Sequence, residues 1–262
     1  MTKRWKQFEA VVTSRHCKRA YLDQPVPRAL LTDVLTAAGQ APSTRNGQPW
    51  RVSVVTGDAR AALVGRLCAE FDRGTAPAPD YPNRPRTPDS LTEQRARLAL
   101  AGVLRVLGLA QQGAAGRRAH LRLNLTFYGA PVAMVFHLPA DAVPGAFLEM
   151  GFFLQNVMLG LVAYGLGSCP QYSVAGYPQV LREELGLGVD RLIVCTLAVG
   201  YPDPAADVNG FVPARAALAD YARWHDQAPP SFTAASCGAG EPAAGSRPAP
   251  VNASSQSRER TT

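Results

Sequence analysis

The chain has 262 residues, 47% of them hydrophobic and 18% charged, and a net charge of +7. That length holds one large domain or two small ones, and that balance excludes a collagen-like or wholly disordered polymer. Its five cysteines are widely spaced and include no Cys-x-x-Cys, which argues against a disulfide framework or a zinc site and favours a reducing compartment.

Residues 4–13 put Trp5, Phe8, Val11 and Val12 on one face of a helix. A second helix is predicted over 27–39, with Pro27 in its first turn, Gly39 at its end and an apolar stripe of Leu30, Leu31, Val34, Leu35 and Ala38. The β-branched run 51–56 predicts a strand, and 59–71 a third helix. Residues 72–90 hold five prolines and little apolar material, so they predict a long irregular excursion, a feature that is usually functional or mobile. A helix over 91–123 and a strand over 131–138 follow. Residues 145–166 predict a helix long enough to span a bilayer, but Glu149, Gln155, Asn156 and a Gly-rich end favour the buried helix of a soluble protein. A turn, "GSCPQYSVAGYP", leads to a helix at 178–185 and a strand at 191–200. An extended stretch then ends in a short helix between Arg215 and His225.

From 227 to 262 the composition is Pro, Ala, Gly and Ser, which predicts a disordered tail behind a folded domain of 1–226. Alternating helices and strands with more helix than sheet predict an α+β or α/β domain. No apolar run follows Met1-Thr2-Lys3-Arg4, so no signal peptide is visible and a cytoplasmic location is expected.

Several chemistries lack their signatures. No Gly-x-Gly-x-x-Gly follows a strand, and there is no P-loop, no Gly-x-Ser-x-Gly and no His-Glu-x-x-His. His120, His137 and His225 have no partner at metal-ligand spacing. Residues 71–122 carry nine Arg against four acidic residues, but no nucleic-acid-binding signature accompanies them. The bland reading is Arg in place of Lys, of which there are only three. An enzyme of this composition would rely on a bound organic cofactor.

Two early stretches stand out. Residues 14–27 cluster Arg15, His16 and Arg19 at the end of a helix, and Arg is the side chain that grips phosphate with parallel hydrogen bonds. Residues 42–50 offer Ser43, Thr44 and Asn46, short polar groups suited to a heteroaromatic ring or ribityl hydroxyls. Each alone is better explained by surface charge or a plain turn. Together, Ser14-Arg15-His16-Cys17-Lys18-Arg19-Ala20-Tyr21 and Ala41-Pro42-Ser43-Thr44-Arg45-Asn46-Gly47-Gln48-Pro49-Trp50 resemble the paired motifs of the FMN-dependent nitroreductase family. The later segments "FLEMGFFLQNVMLGLVAYGLGSCPQY" and "VLREELGLGVDRLIVCTLAVGYPDP" are similar to the family's central helix and its final helix and strand. The "GSCPQYSVAGYP" turn most resembles the branch whose members reduce nitroaromatic acids and related compounds.

The resemblance, over roughly residues 8–225, implies a mixed sheet wrapped by helices and an intertwined homodimer with an FMN site at each subunit interface. It places the flavin phosphate at Arg15, His16, Cys17, Arg19 and Arg215, and the ring and ribityl chain at Pro42, Ser43, Thr44 and Asn46. It also gives the backbone of Pro170, Gln171, Tyr172 and Ser173 to flavin N5 and O4, with no catalytic side chain. Tyr81 and Arg84, in the Pro-rich excursion, are weak candidates for the substrate pocket. The implied reaction is ping-pong. NADH or NADPH gives a hydride to the flavin and leaves, and a small-molecule acceptor, nitroaromatic or quinone-like, takes two electrons in the same pocket. No membrane or nucleic-acid partner is implied.

Two departures weaken the phosphate site. Cys17 stands where the family usually has Ser, and a thiol is the weaker donor. Val212 and Pro213 stand where a second basic residue is usual. A dehydrogenase or enone reductase on the same scaffold, or a degenerate flavin-binding protein, therefore stays open.

Overall fold

A computed structural model describes residues 1–226. The chain divides into two units, Met1–Ala214 and Arg215–Thr262. The expected tail, 227–262, lies outside the described residues.

In the first unit, α1 (Lys3–Ser14) starts where Thr2 Oγ1 accepts the Trp5 N–H at 3.2 Å, a side-chain N-cap. Next come α2 (Arg28–Ala38), β1 (Arg51–Thr56) and α3 (Gly57–Asp72). The excursion predicted after α3 holds neither helix nor strand before α4 (Ser90–Val106), which Asp89 caps by accepting the Thr92 N–H at 2.9 Å. One helix was expected across 91–123. Instead α4 and α5 (Gly113–Leu125) meet through a bend of 108°. Gly108, at φ +69°, turns the chain there, in the left-handed region that ends helices. β2 (Val132–Pro139), α6 (Pro144–Ala163), β3 (Gly167–Gln171), α7 (Tyr172–Ala175), α8 (Pro178–Leu185) and β4 (Arg191–Gly200) complete the unit. The expected turn at 167–178 thus contains a strand. Its sequence, Gly-Ser-Cys-Pro-Gln, has little strand propensity, and Pro170 is tolerated because β3 lies at the sheet edge.

The sheet runs β1-β2-β4-β3 and every strand pair is antiparallel. The mixed sheet that the resemblance implies is thus antiparallel in all its described strands, the one parallel pairing being an isolated bridge, Cys17 to Ser168, on the outer edge of β3. Central β2 is buried on both faces, and alternation sends its residues into two cores. Val132, Met134, Phe136 and Leu138 join α2, α6 and Trp50 in one core. Ala133 and Val135 join α3, α8, Phe127, Tyr128 and Cys169 in the other, where Cys17 and Tyr21 also pack. Cys17 and Tyr21 of the first stretch thus pack in one core, and Val26 with Ala41 and Trp50 of the second in the other.

α1 buries none of its residues, although its stripe is apolar: Trp5 is 47% and Phe8 54% exposed. On α6, Leu148 is 62% and Phe152 40% exposed. α6 is the single helix among the described residues long and apolar enough to cross a membrane.

Among its described residues, the second unit forms one helical turn, α9 (Leu218–Tyr221), with the Ala217 N–H donating to Asp220 Oδ2 at 3.0 Å.

Candidate functional site

The segment 15–20 leaves α1 in extended conformation and lies along β3, with the Lys18 N–H donating to Ser168 O at 3.0 Å. Asn209, buried and distant in sequence, pins it. Its Oδ1 accepts the N–H groups of Arg19 at 2.7 Å and Ala20 at 3.2 Å, and its Nδ2 donates to Ala20 O at 2.7 Å and Asp203 O at 3.0 Å. Every polar atom of that side chain is thus spent on backbone, so Asn209 fixes where Arg19 starts.

Arg19 packs beside Tyr128, Cys17 and Cys169, and its Nε is a buried donor with no acceptor. A buried guanidinium nitrogen without a partner is costly, and an anion is the natural remedy. Cys17 is partly buried, and its thiol takes a hydrogen bond from Cys169. That bond, with Arg19, Arg15 and His16 nearby, outweighs burial and lowers the Cys17 pKa to about 6. Cys169, donor of the bond and deeply buried, is pushed up. The His16 ring is committed to backbone: Nδ1 lies 2.9 Å from Ser14 O and Nε2 2.8 Å from Asn209 O. Lys18 Nζ stands 2.8 Å from the same Nε2.

β3 runs from this cationic cluster into a cavity of about 630 Å³. Pro170, Gln171, Tyr172 and Ser173 form one wall, and Pro77, Arg84 and Arg117 are among the residues opposite. His120 also lines the cavity, 3.2 Å from the Tyr128 hydroxyl, so the Tyr128–His120 pair joins cluster and cavity. Pro170 has no N–H to offer, but Tyr172 and Ser173 open α7, where N–H groups have no partner within the helix. Buried Gln171 donates from Nε2 to Asn124 O at 2.7 Å, while its Oε1 has no partner.

The Pro-rich excursion closes the cavity because its middle is anchored. The Ala78 N–H donates to Gly176 O at 2.8 Å, and Asp80 accepts from the Ile193 N–H at 2.7 Å and from Arg182 at 2.6 Å. Tyr81 is one of these anchors. Its hydroxyl donates to Val194 O at 2.8 Å and its ring lies 4.8 Å from Phe147. Of the two weak substrate candidates, Arg84 lines the cavity and Tyr81 does not, though both border a smaller recess of about 430 Å³ with Tyr172.

The second stretch, 42–48, lies across the sheet. Arg45, Asn46 and Gln48 all have positive φ (53°, 55° and 44°), a left-handed conformation costing roughly 1 kcal/mol or more at each non-glycine residue. Glu149 holds the loop, its Oε1 accepting the Thr44 N–H at 2.7 Å, while Ser43 Oγ accepts the Gln48 N–H at 3.0 Å. Trp50 stacks on Phe153 at 5.2 Å behind it. Pro42, Thr44 and Asn46 are exposed and Ser43 half-buried, so the strained loop is presented outward. One chain therefore brings Arg15, Cys17 and Arg19 together with Pro170–Ser173 and Arg84, but not with Pro42, Ser43, Thr44 or Asn46. Arg215 opens the second unit.

The family model for the nitroreductase family matches residues 12–201. The chain belongs to the nitroreductase family. Among its curated relatives, the 4-nitrobenzoate reductase of Pseudomonas putida is 36% identical over 206 residues, covering 77% of this chain and 88% of that protein. The chloronitrobenzene nitroreductase of Comamonas testosteroni is 34% identical, covering 82% of this chain and 95% of its own length. Among solved structures, the FMN- and NADPH-dependent nitroreductase NfnB from a Sphigopyxis strain superposes with a TM-score of 0.80 at 35% identity, covering 83% of this chain and 98% of that one. NfnB from Mycobacterium smegmatis, solved with NADPH, gives 0.80 at 30% identity, covering 84% and 99%. This family member therefore has the nitroreductase fold.

Within it, the groups that sequence motifs left out are those that hold the site: Asn209, Glu149, Tyr128 and Asn124. Asn209, Tyr128 and Asn124 carry no local signal in the sequence. Glu149, inside an apolar helix, is the exception.

Proposed function

We propose that this chain is an FMN-dependent NAD(P)H oxidoreductase that reduces nitroaromatic compounds, with aromatic acids favoured among them. The observation that carries the reading is the continuity of cationic cluster and cavity along β3. The residues fit the cofactor at both ends. Arg19 Nε is a buried donor awaiting an acceptor, and Gln171 Oε1 is a buried acceptor awaiting a donor. Cys17 fits less well, because a thiolate there opposes a phosphate.

When bound, FMN supplies two-electron transfer between a nicotinamide donor and the acceptor. The protein's part is binding, orientation and exclusion of water. Arg15 and Arg19 would hold the phosphate, and the Tyr172 and Ser173 N–H groups would hold the flavin ring. Arg84 and Arg117 attract a carboxylate, or the phosphates of NADPH, to the mouth of the cavity. Pro77, Leu100 and Leu121 supply apolar walls.

The homodimer belongs to the same proposal. Cys17 packs against one core and the 42–48 loop is flanked by Ala41 and Trp50 of the other, which favours a ligand shared between two chains. The strained 42–48 loop of a second copy can complete the site. The apolar faces of α1 and α6, unburied in one chain, are the surfaces for that copy to cover. A cytoplasmic setting, where NAD(P)H is available, completes the reading.

The test is a spectrum followed by turnover. Purified protein titrated with FMN should develop bound-flavin absorption that bleaches on adding NADPH or NADH. Colour should return with 4-nitrobenzoate faster than with an enone. A protein that stays colourless in excess FMN refutes the cofactor. Faster return with the enone refutes the acceptor class.

A further inference from the structure

Phe127 and Tyr128 are consecutive non-glycine residues in the left-handed region, at φ +54° and +52°, and both are buried. Strain of that kind persists only where the surroundings enforce it, and it gathers at functional sites. Here it aims one side chain. The Tyr128 hydroxyl lies 3.2 Å from Nε2 of His120, on α5. Arg117, His120, Leu121 and Asn124, spaced three and four apart, form the face of α5 that lines the large cavity. Exposure falls along that face: Arg117 is exposed, His120 half-buried and Asn124 buried. Asn124 ties the helix to the Pro170–Ser173 wall, its O accepting from Gln171 Nε2 at 2.7 Å and its Nδ2 donating to His120 O at 2.9 Å. The other ring nitrogen of His120, Nδ1, has no hydrogen-bond partner among the described residues and is not a buried atom, so it opens toward the cavity. Burial and the nearby Arg19 lower the His120 pKa, which keeps the ring neutral at neutral pH. A neutral imidazole carries one N–H, and the partner of one nitrogen decides which nitrogen bears it.

We infer that His120 is a catalytic residue toward nitro acceptors, a role that rests on the function proposed above. The Tyr128 hydroxyl donates to Nε2, so the proton sits on Nδ1, and Nδ1–H donates to a nitro oxygen in the cavity. Two electrons and two protons turn a nitro group into a nitroso group and water. The nicotinamide donor supplies both electrons and one proton as hydride, solvent supplies the second proton, and one N–O bond breaks. His120 keeps its own proton. Its part is to stabilise the negative charge that gathers on the nitro oxygens before that bond breaks, so its hydrogen bond strengthens toward the transition state. A neutral histidine of lowered pKa suits this task, because it polarises an oxygen without giving up a proton. Tyr128 is the positioning residue, and the strained backbone holds it there.

The experiment uses the holoenzyme and has two readouts. Nitrogen-15 NMR of the imidazole nitrogens, assigned by difference with His120→Gln, gives the tautomer. Stopped-flow reoxidation of the NADPH-reduced holoenzyme gives rates with nitrobenzene and with ferricyanide, an electron acceptor that has no nitro group. The wild type should show Nδ1 protonated and Nε2 bare, and Tyr128→Phe should shift the proton toward Nε2. The ratio of the nitrobenzene rate to the ferricyanide rate should fall about 100-fold in His120→Ala, the usual cost of one transition-state donor, and less in His120→Gln, which keeps an N–H. Tyr128→Phe keeps both rings and should lower the ratio severalfold, so the test does not depend on the alanine variant folding. An Nε2–H tautomer in the wild type overturns the inference. So does an equal loss with both acceptors, the mark of a structural role, or a ratio that does not move. A protein that takes up no FMN, or that leaves nitrobenzene unreduced, fails the function proposed above and this role with it. Nitrobenzene reduction with an unmoved ratio fails the role alone.

Discussion

Replacing Cys17 by Ser should change how FMN affinity depends on pH, more than its value at low pH. The Cys17 thiol is held to a pKa of about 6 by the Cys169 hydrogen bond and by Arg19, Arg15 and His16. Below that value the thiol is neutral and Cys17→Ser exchanges a weak donor for a better one, so affinities should agree within a few fold. Above it, the empty protein carries a thiolate where the phosphate must sit. Binding must then reprotonate the thiol. The penalty is about 1.4 kcal/mol for each pH unit above the empty-state pKa, or about 2.7 kcal/mol and 100-fold at pH 8. The sign follows from which form binds. The neutral form takes the anion, so affinity relative to the serine variant falls as pH rises through about 6.

Fluorescence titration of FMN against both proteins between pH 5.5 and 8 measures this directly. The second ionisation of the phosphate, which also lies near 6, affects both proteins equally and cancels in the ratio of their dissociation constants. The expected ratio is near one at the acid end and rises about tenfold per unit before levelling. A ratio that stays flat across the range would refute the reasoning, because no charge would then be changing next to the phosphate.

Three further outcomes follow from the geometry. Asn209→Ala strands the Arg19 N–H and releases Ala20, so it should cost about 3 kcal/mol in a denaturant melt and weaken FMN binding, while Asn209→Asp, which keeps the acceptor, should recover part of both. Phe152→Glu puts a charge on the exposed face of α6; light scattering should show a shift toward monomer, with flavin lost in step if the second copy completes the site. Arg84→Ala removes one cation from the cavity wall, so the KM for 4-nitrobenzoate should rise about fivefold, the worth of one solvated ion pair, while nitrobenzene is turned over unchanged and kcat for both holds.

The sequence was legible where its signals are local. Periodicity placed α2, β1, α8 and β4 nearly to the residue, because each carries its own apolar pattern and terminators. It failed at β3, whose glycine and proline deny it strand propensity and whose pairing partner is more than twenty residues away. It failed also at Gly108, where a single glycine inside an apolar run bends the chain. The site shows the same division on a finer scale. Arg15, Cys17 and Arg19 stand out because they share one short motif. Asn209 and Glu149 are invisible there, because their partners lie some hundred or more residues away and only folding brings them into contact. The two motifs sit close in sequence, within the first fifty residues, yet the sheet holds them apart. Closeness along the chain thus suggests one pocket, whereas the alternation of β2 sends its side chains into two separate cores, against which residues of the two motifs pack. If a second copy completes the site as proposed, cofactor binding and dimerisation should fail together, which is why the Phe152→Glu variant tests the site as sharply as any substitution in the phosphate cluster.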